Sequence, residues 1–169
     1  MNPGAAPNPG AAPNPGAAPN MDRIEKSIIL RAPRARVWKA LADPEAFGQW
    51  FGVKLNGAFA PGAHLKGQVL HKGYEHCFFE IAIDRMEPER LLSWRWHPHA
   101  IDPTKDYSAE PTTLVVFELK EVADGTLLTV VESGFEGIPL ARRPEAYRGN
   151  EQGWAAQMKA IEKYVGAAA

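Results

Sequence analysis

From His64 to Ser133 the sequence carries one strand pattern after another, with no helical pattern between them. Parallel strands need helical crossovers, so such a run dictates an antiparallel sheet. The strands are read at His64–Leu70, Tyr74–Met86, Arg90–His97, Thr112–Lys120 and Thr126–Ser133. Alternation assigns their faces. Cys77, Phe79, Ile81 and Ile83 share one side of the second; Leu92, Trp94 and Trp96 share one side of the third. Val115, Phe117 and Leu119 follow on the fourth, and Leu128, Val130 and Glu132 on the fifth. Asp124-Gly125 marks a hairpin slightly longer than two residues.

Helical patterns stand only outside this run. Arg23–Arg31 reads as a first strand, with Ile24, Ile28 and Leu30 on one face. Arg34–Ala42 then has Val37, Trp38 and Leu41 at helical spacing, and Pro33 suits its first turn. Asp43 is placed to cap a second short helix carrying Phe47, Trp50 and Phe51 before Gly52. Asn56-Gly57 and Pro61-Gly62 are turn chemistry. At the other end, Tyr147, Trp154, Met158, Ile161 and Val165 form one stripe of a helix from about Pro144 to Val165. Gly149 and Gly153 weaken its first half, by about 1 kcal/mol each against Ala. The expected fold class is α+β: an antiparallel sheet whose apolar face curls around one long C-terminal helix and leaves a pocket.

Composition enters at the N-terminus. Residues 1–20 hold six of the fifteen prolines, in three copies of Asn-Pro-Gly-Ala-Ala-Pro. Each copy lacks charge, aromatic and β-branched residues, so it buries too little apolar area to offset its ordering entropy. The working domain is expected to be 21–169, with 1–20 a disordered tail and Met21 the true start. With 19 Lys+Arg against 20 Asp+Glu and no basic stripe, nucleic acid is not an expected partner. No run approaches the length of a membrane span. A single cysteine, Cys77, excludes an intrachain disulfide and a cysteine-based metal site, and the cytoplasm is the expected compartment.

Several segments together are familiar. Arg31-Ala32-Pro33 leads to Val37-Trp38 and Ala40-Leu41; Asp43-Pro44-Glu45 leads to Trp50-Phe51. Met86-Glu87-Pro88-Glu89-Arg90-Leu91 precedes Trp94; Glu132-Ser133-Gly134-Phe135 and Gly153-Trp154 follow. In this order, over about residues 23–165, the chain resembles the SRPBCC superfamily, also called START-like or birch-pollen-allergen-like. Within it, it is most similar to the family of the C-terminal domain of the heat-shock-protein-90 ATPase activator. The resemblance implies a helix grip: a curved antiparallel sheet wrapped around the last helix, two short helices closing one end, and a cavity between. Relatives in the superfamily bind lipids, steroids or other apolar ligands, act as cyclases, or serve as co-chaperones, so the site must decide.

The tryptophans, Trp38, Trp50, Trp94, Trp96 and Trp154, sit on elements expected to face or close that cavity. The expected lining is Trp50, Phe79, Trp94, Trp96, Phe117, Glu132, Trp154 and Met158. Aromatic walls with a soft methionine suit a small hydrophobic or ring-bearing ligand. Glu132 is the informative polar residue, because an inward carboxylate is costly unless partnered. It either holds a ligand's polar head, acts as a general base with His76 or Tyr147 assisting, serves as partner to a backbone N–H, a Trp indole or a Tyr hydroxyl, or stands at a strand end that has reached water. Cys77, on the inward face, is expected to be a buried, inert thiol. His97-Pro98-His99 with Asp102 and Asp106 lacks a second ligand pair at metal spacing, so no metal is expected. No phosphate loop, dinucleotide fingerprint, nucleophile elbow or His-Glu-x-x-His is present, so no cofactor is expected.

Three functions follow: non-catalytic ligand binding, a cyclase- or hydrolase-type enzyme using Glu132, and a chaperone-accessory role. A second copy of the chain is also admitted as a partner. The segments Pro98–Pro111 and Ser133–Arg148 are expected to form the cavity mouth. Arg142, Arg143 and Arg148 lie there, either to attract an anion or as a solvated basic face.

Overall fold

The structure, a computed structural model, describes residues 22–167. The Asn-Pro-Gly-Ala-Ala-Pro repeat lies outside the described residues. Strand β1 (Arg23–Leu30) leads into two short helices, α1 (Arg34–Ala42) and α2 (Pro44–Phe51). Six strands follow: β2 (Val53–Asn56), β3 (His64–Val69), β4 (Phe78–Glu87), β5 (Leu91–Trp96), β6 (Thr113–Val122) and β7 (Gly125–Ser133). Helix α3 (Arg143–Ala167) closes the chain. All strands join one curved antiparallel sheet in the order β1-β7-β6-β5-β4-β3-β2. The α+β helix-grip architecture is the one expected.

The alternating residues sort as their spacing demands. Phe79, Ile81 and Ile83 on β4, Leu92 and Trp94 on β5, Phe117 on β6, and Leu128 and Val130 on β7 are all buried. The stripe of α3 meets them with Trp154, Met158, Ile161 and Val165. Helix α1 has the boundaries read from the sequence. The Asp43 carboxylate accepts the Ala46 N–H at 2.9 Å, capping α2 as expected. Gly52 then ends α2 in the left-handed region, φ 87°, where a side chain would also strike the His71 ring.

Four local readings need correction. Pro33 is the N-cap of α1, one residue before its first turn. The β6–β7 hairpin turns on two residues, Ala123-Asp124, because Val122 pairs directly with Gly125. The strand read from Tyr74 begins only at Phe78; the chain from His71 to Cys77 makes two tight turns, closed by Tyr74 N–H to His71 and Cys77 N–H to Tyr74 carbonyls. Strand β2 has no counterpart in the sequence reading. Four residues are too short for a pattern, and β2 exists because Val53–Asn56 pairs with the edge of β3.

Candidate functional site

Strand register places the polar heart of the molecule. Trp96 on β5 pairs with Thr113 on β6, and Val115, two residues further along β6, pairs with Glu132 on β7. Trp96, Thr113 and Glu132 therefore share one end of the sheet's inner face. Asn150 and Trp154 reach the same point from α3, since residues four apart stack on one side of a helix. The Glu132 carboxylate is fully buried and accepts from all four. Thr113 Oγ1 lies at 2.6 Å, Trp96 Nε1 at 2.7 Å and Trp154 Nε1 at 2.8 Å. Asn150 Nδ2 bridges both oxygens at 2.9 and 3.1 Å. The donors are neutral, and they fill the acceptor sites of the carboxylate. Neither residue considered as its assistant is among them: Tyr147 donates its hydroxyl to the Arg23 carbonyl, and His76 sits against the Ile101 carbonyl.

In front of this hub opens a cleft of about 650 Å³, between the β3–β5 end of the sheet and α3. Its floor is aromatic: Phe51, Phe79, Trp96 and Trp154, with Val53 and Val69 beside them. The rings touch, with Phe51–Phe79 centroids 5.3 Å apart, Phe79–Trp96 5.9 Å and Trp96–Trp154 5.9 Å. Of the residues named from sequence, Phe79, Trp96 and Trp154 line the cleft. Trp94, Phe117 and Met158 are buried among the core residues and do not line it. Trp94 packs edge-to-face on Trp96 at 4.9 Å, and its buried indole N–H meets no hydrogen-bond acceptor among the described residues. Trp50 ties the two short helices together, donating to the Ala40 carbonyl at 2.7 Å. Glu132 sits behind Trp96 and Trp154 and is not among the lining residues. Trp38, on α1, is half-buried and away from the cleft.

The outer wall is the β5–β6 loop, whose residues 99–103 and 105–108 face the cleft. The loop is clasped to the start of α3. Arg142 gives Nε and Nη2 to Glu110 Oε1 at 3.0 and 2.7 Å, and Nη1 to the Pro98 carbonyl at 2.8 Å. Lys105 holds the other Glu110 oxygen at 3.0 Å. Arg142 and Lys105 also lie over the Tyr107 ring, 4.8 and 5.1 Å from its centre. The Arg142 hydrogen bonds, with smaller help from Lys105, hold the Glu110 carboxyl below the usual glutamate range against the opposing effect of burial. Arg142 is thus a structural clasp; Arg143 bonds the Ile138 and Glu136 carbonyls, and Arg148 faces a second depression that shares only His99 with the cleft. The segment 133–148 does not line the cleft.

Cys77 also lines the cleft, and burial pushes its thiol pKa up, which disfavours the reactive thiolate. His97 is bonded to the Glu110 carbonyl at 3.0 Å. Among the described residues no three His, Cys, Asp or Glu side chains converge as metal ligands, and no helix is long and apolar enough to cross a membrane. Sequence reasoning missed Thr113, Asn150 and Gln157. Asn150, Gly153, Trp154 and Gln157 all line the cleft at helical spacing, so Trp154 carried the signal for the other three.

The family described as activator of Hsp90 ATPase homolog 1-like protein matches residues 31–166. The chain belongs to this family. No curated protein matches it. Solved structures share its fold. MLL2253 from Mesorhizobium loti matches with a TM-score of 0.68 and 22% identity, over 86% of this chain and 97% of that one. The Aha1 dimer from Colwellia psychrerythraea gives 0.64 and 15%, over 85% and 95%. DynU16, a protein of the dynemicin biosynthetic locus, gives 0.65 and 27%, over 85% of this chain but only 47% of DynU16. What the activator-like family supplies here is the grip itself; the side chains in the grip carry the functional reading.

Proposed function

We propose that the protein binds a small, apolar, ring-bearing molecule in the cleft between the sheet and α3, and does not transform it. The observation that carries this reading is the division of labour between cleft and hub. The cleft has the size of an ordinary ligand site and an aromatic floor. The buried carboxylate behind its floor, Glu132, does not line it and is saturated by neutral donors, with no second titratable group among its hydrogen-bond partners in the described residues. Acid–base catalysis needs a proton acceptor that reaches the substrate, and Glu132 is spent on Trp96, Trp154, Thr113 and Asn150. The cytoplasm is the compartment we propose, where a lone thiol such as Cys77 stays reduced.

Gly153 provides the test. It lines the cleft, and a Cβ built there meets nothing within 4 Å, so a larger side chain has room without disturbing the fold. The neutral fluorophore N-phenyl-1-naphthylamine is expected to bind the full chain with enhanced emission. Gly153→Phe is expected to lower its affinity about tenfold or more, as the added ring takes the ligand's place, with the melting temperature within a few degrees. Undiminished binding by Gly153→Phe places the ligand elsewhere.

A chaperone-accessory role is the second reading. The family description favours it, as do three large apolar side chains exposed on and beside the β3–β4 connection: Leu70 (55%), Tyr74 (47%) and Phe78 (75%). Contiguous exposed apolar groups are what partner surfaces are made of. Stimulation of a heat-shock-protein-90 ATPase, lost on Phe78→Ser, supports this role; no stimulation removes it.

A further inference from the structure

Two side-chain amides on α3 are held in one orientation by partners that only accept. Asn150 turns its Nδ2 to the Glu132 carboxylate. Reversed, its Oδ1 would face those same oxygens, in a place already supplied with donors by Trp96, Trp154 and Thr113. Gln157 gives its Nε2 to the Phe51 carbonyl at 3.0 Å, and a carbonyl cannot donate in return. Each amide thus has its nitrogen committed and its oxygen left over. Neither oxygen meets a protein donor among the described residues, and neither is buried away from solvent. Both residues line the cleft. They stand two helical turns apart on one face of α3, about 10 Å along its axis, with Trp154 between them.

Most other polar groups of the cleft are engaged elsewhere, Glu80 with His64 and Lys105 with Glu110 among them. His71, His76 and His97 are each set against a backbone carbonyl. Asp102 and Asp106 hold their own loop through Thr104 and Ser108. Of the cleft's acceptors, the two amide oxygens are the ones that α3 holds on either side of Trp154 on the aromatic floor.

We infer that Asn150 and Gln157 select the ligand: a planar apolar body carrying hydroxyl or N–H donors at both ends, taken in preference to its ethers. This rests on the cleft being the binding site. An occupant without donors leaves two carbonyl oxygens desolvated and unpaired, which is the strongest form of discrimination a mostly apolar site has.

Calorimetric titration of the full chain with 2,6-dihydroxynaphthalene and 2,6-dimethoxynaphthalene tests this, since only the first donates. The diol is expected to bind at least about tenfold more tightly than the ether, as two hydrogen bonds are at stake. Gln157→Met and Asn150→Ala are each expected to weaken the diol about fivefold to tenfold and the ether less than about twofold. If Asn150→Ala does not fold, Gln157→Met, which leaves the Glu132 hub intact, decides alone. Equal binding of diol and ether, equal shifts of both in the variants, or no diol binding overturns the selection. When N-phenyl-1-naphthylamine still binds and Gly153→Phe still excludes it, the cleft reading survives that result. When the fluorophore does not bind either, the cleft reading has failed and this inference falls with it.

Discussion

Glu132→Ala is expected to destabilise the fold by about 3–5 kcal/mol, and to lower the melting temperature by roughly 10 °C. The substitution strands the Trp96 and Trp154 indoles, the Thr113 hydroxyl and the Asn150 amide around a cavity, in a place water does not reach. Buried donors without acceptors carry their whole desolvation penalty. Glu132→Gln keeps the shape and one oxygen but turns an N–H toward other N–H groups, and is expected to lose about 2–3 kcal/mol. Thermal unfolding followed by near-ultraviolet circular dichroism reads both the stability and the loosened tryptophans. A general base set aside for chemistry behaves differently: its replacement removes activity and leaves the melting temperature alone. An unchanged melting temperature in both variants therefore contradicts the structural role.

Arg142→Ala is the second large effect. The guanidinium joins Glu110, the Pro98 carbonyl and the Tyr107 ring, and both charged side chains are only 11% exposed. Removing it leaves Glu110 to Lys105 and frees the outer wall of the cleft, at a cost of about 2–3 kcal/mol. Hydrogen exchange is expected to rise across 98–111 and stay slow in the sheet, because the clasp holds that loop and little else. The clasp also sets a pH dependence. The Glu110 carboxyl lies below its ordinary range in the folded protein, so the unfolded chain takes up the proton first as acid is added. Its contribution is complete above the ordinary glutamate range and fades as the pH falls through that range and through the lower folded value. Protection of 98–111, measured against the intrinsic exchange rate at each pH, is thus expected to fall in acid, with a weaker dependence in Arg142→Ala. A loop whose protection ignores both the variant and the acid contradicts the clasp.

The grip was legible because it rests on local rules. Period-two alternation places Phe79, Trp94, Phe117 and Val130 without knowledge of their neighbours, and the Asp43 cap and the Trp154–Val165 stripe are equally local. Strand β2 and the turns at 71–77 were not legible, since pairing with β3 and backbone turns decide them. The hub lies between these cases. An inward Glu132 was visible as an anomaly on β7, and a Trp indole was among its expected partners, whereas the hydroxyl it holds belongs to Thr113 and not to a tyrosine. Which indoles and which hydroxyl depends on the registers of β5, β6 and β7 and on the seat of α3, which bring Glu132 its donors from as far as 36 positions away. Asn150 and Gln157 escaped for another reason. A search for an apolar stripe discards polar residues, although these two share the Trp154 face of α3 and line the cleft. The Arg142–Glu110 clasp likewise spans 32 positions and has no local trace.

The cleft as binding site is tested most directly by the indole N–H signals of the tryptophans in a nitrogen–proton correlation spectrum. N-phenyl-1-naphthylamine is titrated into the full chain. Trp96 and Trp154, which floor the cleft, are expected to shift progressively and saturably, while Trp38 on α1 stays fixed. Saturable shifts at Trp38 with Trp96 and Trp154 unmoved, or no saturable shift at any indole, would contradict a ligand site between the sheet and the last helix.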